Sequence, residues 1–259
     1  MRNLLILLVA LTVAVSCAKK PAIDLPADVS QQMGEELFER KKYKDSVQYF
    51  EAAIRNAGDP SLAGRAQLML AEAHFQLKDY NLAIPSYETF LRIYPLSQFA
   101  PEAKLKLALC YYNQVGSPER DIKNAEEALR IFNEIAKENP AYDREHNISE
   151  KIVEMRSIIS QREMLIAKFY FRTDKERPAV NRLQYIVDIF KDTKEYPEAL
   201  MLLGDYYAEK DGYESEAIKY YNVLLSEFPN SEYSRSVKGK LSKLQDQLAK
   251  EDKKKRNNK

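Results

Sequence analysis

Apolar residues recur along this chain at intervals of three and four, the period of helices that bury one face. A longer period lies over that one. An apolar residue followed by a small one occurs at Met33-Gly34, Leu70-Ala71, Leu107-Ala108, Ile166-Ala167 and Leu203-Gly204, with small residues 37, 37, 59 and 37 apart. Twelve residues after the first, second and fourth of these stand Ser46, Ala83 and Ala179. Ala128 and Ala217 fill the same place after insertions of eight residues and one. Four residues further on come Phe50, Tyr87, Phe132, Leu183 and Tyr221. The cycle closes on Gly58, Pro95, Pro140, Lys191 and Pro229, where all but Lys191 are residues that end helices.

Small residues at two fixed positions let a pair of antiparallel helices approach closely, and the large residue fills the groove between them. Pro or Gly then turns the chain into the next copy. The pattern resembles the tetratricopeptide repeat. The fold expected is therefore all-α, a tetratricopeptide-repeat superhelix of five helical hairpins, since each hairpin leaves an apolar face that only a neighbour can cover. The third copy carries a long loop around Gly116-Ser117-Pro118. Ile148, Ile152, Met155, Ile158 and Ile159 have helical spacing and continue towards Met164-Leu165 as one long helix. This predicts repeats 1–3 over residues 29–140, a helical connector over 141–162 and repeats 4–5 over 163–248. A charged, unstructured tail over 249–259 completes the chain.

Composition narrows what such an array does. There are only 7 Gly, no Trp and a formal net charge of +1. Without Arg2 the cationic and acidic side chains balance, so no basic face speaks for nucleic acid. Most charges are expected on solvated helix faces. The only histidines are His74 and His146, and His74 occupies a packing position of the repeat. No metal spacing, phosphate loop or nucleophile elbow is present, so no catalytic residue, metal or cofactor is expected. Cys110 lies in the apolar run Leu107-Ala108-Leu109 and reads as a core thiol.

The N-terminus is an address. Arg2 precedes a dozen mostly apolar residues, Leu4 to Val15, too short to remain as a comfortable membrane span. Ala14-Val15-Ser16-Cys17 resembles the bacterial lipobox, which implies a signal peptide over 1–16 and lipidation of Cys17. Each buried methylene of that lipid contributes roughly 0.8 kcal/mol of membrane affinity. Ala18 favours the outer membrane. Residues 17–28, with two prolines, read as a lipidated tether that lets the folded part stand away from the lipid.

Lipobox and repeats together resemble the BamD/ComL family of outer-membrane assembly lipoproteins. The stretches that carry the likeness are Arg92-Ile93-Tyr94-Pro95, Glu163-Met164-Leu165-Ile166-Ala167-Lys168-Phe169-Tyr170 and Ala179-Val180-Asn181-Arg182-Leu183-Gln184. Lys191-Asp192 departs from the family's Tyr-Pro. The resemblance implies a periplasmic scaffold of the machine that folds β-barrels into the outer membrane. Its partners would be the periplasmic domains of a central barrel-forming subunit, other assembly lipoproteins and unfolded outer-membrane proteins. Arg182 matches a family arginine at the contact with the central subunit; otherwise it is an ordinary surface arginine. In such arrays the first helices line an inner wall, which brings forward Phe38, Phe75 and Tyr112 with Arg65, Leu68 and Asn113. An apolar wall with a cation suits an extended peptide ending in an aromatic residue and a carboxylate. The same rings could instead pack between hairpins, while the adjacent Tyr111, Tyr170 and Tyr207 are expected in the core. A secretin pilotin, another cell-envelope scaffold and a helper of a wall-modifying enzyme remain alternatives.

Overall fold

A computed structural model of the chain describes the backbone of residues 23–257 and the side chains of residues 23–250. The expected signal peptide and Cys17 lie outside the described residues. Those residues form twelve α-helices and no strand. Five hairpins account for ten of them: α1 (Ala27–Glu39) with α2 (Tyr43–Asn56), α3 (Pro60–Gln76) with α4 (Tyr80–Ile93), and α5 (Ala100–Tyr112) with α6 (Lys123–Glu138). A short α7 (Pro140–His146) precedes the fourth pair, α8 (Ile148–Arg172) with α9 (Glu176–Ile189). The fifth is α10 (Tyr196–Ala208) with α11 (Glu214–Glu227), and α12 (Glu232–Asn257) follows. As anticipated, the connector's helix and the first helix of the fourth copy are one, α8.

The repeat's small and large residues lie where the two helices meet. Gly34, Ala71, Ala108, Ala167 and Gly204 are all buried. Ser46, Ala83, Ala128, Ala179 and Ala217 are fully so, as are Phe50, Tyr87, Phe132, Leu183 and Tyr221. The approach is closest at the glycines: a Cβ added to Gly34 would lie 2.6 Å from the Phe50 ring. Where the large residue is tyrosine, the residue after the first small one is an acid that accepts a hydrogen bond from its hydroxyl. Tyr87 donates to Glu72 at 2.7 Å and Tyr221 to Asp205 at 2.5 Å. This satisfies a polar group that burial would otherwise leave costly.

Three hairpins turn alike. Lys41, Lys78 and Asp174 adopt left-handed backbone. In each turn the next amide reaches back to a carbonyl five residues earlier, as Lys42 N–H does to Leu37, Asp79 to His74 and Lys175 to Tyr170. That is the Schellman closure, which satisfies carbonyls at a helix end.

The four helices that precede Gly58, Pro95, Pro140 and Pro229 end two residues before them, and so does α9 before Lys191. There a side-chain cluster replaces the proline. Thr193, buried, donates from Oγ1 to the Phe190 carbonyl at 2.8 Å and pairs with Ser160 Oγ of α8 at 2.8 Å. Arg156 of α8 donates from Nε to Asp192 at 2.8 Å and lies 5.1 Å over the Phe190 ring.

The chain divides into two compact units, residues up to Ala103 and residues from Lys104 onward. The division falls earlier than the expected joint at 141–162. The reason is packing: α6 lies against α8, so most of the third hairpin belongs with the fourth and fifth. In the first unit the chain entering α1 is clamped to the end of α2. Arg55 donates to the Ile23 carbonyl at 3.0 Å and Asn56 to that of Leu25 at 2.8 Å.

In the second unit α12 covers the last hairpin with Val237, Leu241 and Leu244, and Lys240 bonds Asp205 at 2.7 Å. Such an end helix has a solvated outer face, as the end of a repeat array requires. It runs on to Asn257, whereas an unstructured tail is expected from residue 249. Lys, Glu and Asp there include no helix breaker, so the helix propagates from its packed portion. No described helix is long and apolar enough to cross a membrane.

Burial, with Glu227 nearby, pushes the Tyr196 hydroxyl up to about 12, and burial with the Asp205 contact drives Tyr221 upward as well. Both stay protonated in the fold, whereas an unfolded tyrosine ionises near pH ~10. Their contribution to stability is thus whole below pH ~10 and is lost as pH rises towards 12. An alkaline titration should show the last tyrosinate absorbance appearing together with loss of helical circular dichroism. Complete tyrosine ionisation with the helices intact would contradict it.

Candidate functional site

Each unit carries an open cleft. That of the first unit encloses about 650 Å³ between α3, α4 and residues 94–99. Its floor is made by the residue before the helix terminator Pro95. The Tyr94 ring lies on Gly64, where an added Cβ would stand 3.1 Å away, and 5.6 Å from the Phe90 ring. Leu68, Met69 and Phe99 add apolar wall, and Arg65 stands at the edge with its side chain 65 % exposed. Glu35 accepts from Arg65 Nε at 2.6 Å, so the cation is oriented but remains in water. Phe99 is 47 % and Leu96 98 % exposed. Two large apolar side chains thus stand in solvent beside an apolar cleft.

Of the expected groove residues, the structure brings Arg65 and Leu68 into this cleft and leaves the others out. Phe38 and Phe75 are half-buried at the hairpin turns, edge-on to Tyr43 at 5.0 Å and to Tyr80 at 5.8 Å. Their carbonyls accept from Lys41 and Lys78 in the Schellman closures, and their rings pack on tyrosines just beyond those turns. Tyr112 and Asn113 belong to the second unit. The Tyr112 ring lies on Phe132 at 6.1 Å and its hydroxyl donates to Glu154 at 2.6 Å, while Asn113 is exposed. The residues missed, Tyr94, Ser97, Gln98 and Phe99, flank the second repeat's terminator, Pro95. The signal for them was the apolar pair Leu96 and Phe99 in a stretch that punctuation alone marks as loop.

His74 is buried as anticipated, and burial lowers its basicity. Cys110 is buried in α5 with no disulfide among the described residues. Tyr111, Tyr170 and Tyr207, expected in the core, are only half-buried. Tyr207 stacks on Tyr220 at 5.7 Å on a face that stays partly wet, since the phenol tolerates water at one end.

One cleft of the second unit, about 490 Å³, is lined by Tyr170, Arg177, Pro178, Asn181, Arg182 and Tyr185. Arg182 is not an ordinary surface arginine. Its Nη1 donates to both carboxylate oxygens of Glu163, at 3.2 and 3.0 Å. The Glu163 side chain is 6 % exposed and that of Arg182 44 %. Burial, and Glu163 nearby, raise the Glu126 carboxyl above its usual range. One buried carboxylate, Glu163, thus stands behind the guanidinium. Sequence reasoning quoted Glu163 without seeing its partner, although Met155, Ile159, Glu163 and Ala167 share one buried stripe at steps of four. An acid on such a stripe demands a cation.

Comparison with known proteins follows the same outline. A family model described as "Outer membrane lipoprotein" (YfiO) matches residues 25–212, and a tetratricopeptide-repeat model matches residues 198–231. The chain is 26 % identical over 219 residues to the outer membrane protein assembly factor BamD of Caulobacter vibrioides, covering 83 % of this chain and 72 % of that one. It is 25 % identical over 230 residues to BamD of Rickettsia prowazekii, covering 88 % and 91 %. Among solved structures, a TPR protein of Thermus thermophilus is 21 % identical, covers 84 % of this chain and 98 % of its own, and superposes with a TM-score of 0.36.

Proposed function

The chain belongs to the YfiO family of outer membrane lipoproteins, and from that membership we propose that it is a non-catalytic scaffold of the machine that assembles β-barrels in the outer membrane. In this reading Cys17 carries the lipid and holds the chain on the periplasmic face. The Arg182 cleft docks on a periplasmic domain of the central barrel-forming subunit. The first unit's cleft takes the C-terminal segment of unfolded barrel proteins, and other assembly lipoproteins complete the complex. The observation that carries the reading is an oriented guanidinium in an open, tyrosine-walled cleft inside the family-matched span. Tyr and Arg are the side chains that most often dominate protein interfaces. The names of the relatives, outer membrane protein assembly factors, support the same assignment.

The test is binding of the purified chain to the periplasmic domains of the cell's own barrel-assembly subunit. Saturable binding, with loss of outer-membrane barrels when the chain is depleted, is expected. Neither binding nor barrel loss would favour the pilotin or scaffold alternatives.

For the peptide cleft, Leu68→Ala and Phe99→Ala should each weaken binding of a peptide ending in Phe by roughly tenfold, the worth of a few buried methylenes. Phe75→Ala should leave that affinity unchanged. Its cost should appear in the melting temperature, below the ~3–5 kcal/mol of a fully buried ring. Peptide titrations of the three variants decide, and an affinity lost only in Phe75→Ala would return the groove to the helix turns.

A further inference from the structure

In two hairpins the same pair of positions meets: one on the first helix, four residues before its small residue, and one on the second helix, three residues after its own. In the second hairpin these are Gln67 and Ser86, and Gln67 Nε2 donates to the Ser86 carbonyl at 3.1 Å. In the fourth they are Glu163 and Arg182. A neutral hydrogen bond serves the slot in one copy, so the hairpin does not itself require an ion pair. Glu163 nevertheless places a carboxylate there at 6 % exposure, giving up its hydration. The cation that compensates it reaches outward, and only Nη1 is engaged. Nε and Nη2 take no part, and Arg182 lines the open cleft beside Arg177, which has no ion-pair partner among the described residues.

We propose that Glu163 is the positioning residue of this cleft: it holds Arg182 from behind in one rotamer, leaving the Nε–Nη2 edge free to receive a carboxylate of the docking partner. Arg177 supplies a second cation at the rim. The inference rests on the reading of the cleft as the docking surface. Its physical basis is preorganisation. An unrestrained arginine gives up rotamer freedom on docking, and one fixed beforehand does not. A guanidinium fits this task because its planar fork serves two carboxylates on two edges, which an ammonium does not.

The experiment is a double-mutant cycle on affinity for the partner's periplasmic domains, using the full chain as wild type, Glu163→Gln, Arg182→Met and the pair. Glu163→Gln keeps the shape and removes the charge, and should weaken docking roughly three- to tenfold, the range set by immobilising one long side chain. In the Arg182→Met background the same change should do nothing. An equal loss in both backgrounds would overturn the proposal, because Glu163 would then act through the fold or touch the partner itself. The second readout needs no partner. The Nη1 hydrogens of Arg182, held by Glu163, should be protected and resolved from those of Nη2 in the ¹⁵N spectrum of the free chain, and should average with them in Glu163→Gln. An unchanged signal overturns the positioning role even where docking holds. If Arg182→Met docks as well as the wild type, the docking reading falls and takes the proposal with it. An ordered Arg182 signal would then show that the failure lay in the docking and not in the geometry.

Discussion

Arg182→Glu is expected to cost the chain its docking and a few kcal/mol of stability together. The substitution removes the partner of a carboxylate that is 6 % exposed and sets a second acid beside it, with Glu126 also near. Stranding a fully buried charge costs about 3–5 kcal/mol. Here the loss should be smaller, because the outer edge of the guanidinium lies in water and screens the pair. Read from the sequence alone, the same substitution leaves the fold intact, since Arg182 there has no visible partner. Denaturant unfolding of wild type, Arg182→Glu and Arg182→Glu with Glu163→Gln tests the difference. The double variant should regain much of the loss. A single variant with an unchanged midpoint would mean that Glu163 does not depend on Arg182.

The second large effect concerns glycines whose substitution should act with opposite sign. In the middle of a helix, Gly→Ala ordinarily stabilises by about 0.5–1 kcal/mol. Gly239 of α12 is exposed with nothing near its Cα, and Gly239→Ala should gain that amount. At Gly204 a Cβ would run into the Tyr221 ring, which is fully buried and tied by its hydroxyl to Asp205. The ring has nowhere to retreat without breaking that bond, so Gly204→Ala should lose about 1–3 kcal/mol to overpacking despite its better helix propensity. Melting temperatures of the two variants should move apart by several degrees, at roughly 2–4 °C per kcal/mol for a chain of this size. Stabilisation at both sites would show that the two helices are free to separate.

The repeat was legible because it rests on steric rules that act locally: a small residue, a large one and a stop at fixed distances. Those rules place all ten helices of the hairpins. What was not legible depended on contacts between residues far apart in the chain. Lys191 is no helix terminator by type, and the cluster at the end of α9 joins local Asp192 and Thr193 to Arg156 and Ser160, more than thirty residues earlier. The aromatic recurrence at Phe38 and Phe75 was visible, but periodicity does not say whether a ring faces a groove or packs beside a turn. The Schellman closures and the rings of Tyr43 and Tyr80 decide that. In the first unit the cleft lay one step beyond the pattern, in Leu96 to Phe99. The division of the units near Ala103 follows from α6 lying on α8, a contact across the short α7.

The clamp on Ile23 and Leu25 limits how far the first repeat can stray from the bilayer. With Cys17 lipidated as proposed, only six residue steps separate the acylated residue from the first carbonyl held by Arg55. At most ~3.6 Å per step, the leash reaches no more than about 22 Å, less than the thickness of the hydrocarbon core itself. A tether over all of residues 17–28 would allow almost twice that. With that anchor the start of the first hairpin would stay within about 22 Å of the acylated residue, and an unfolded barrel strand captured beside it would already be close to the membrane it is to enter.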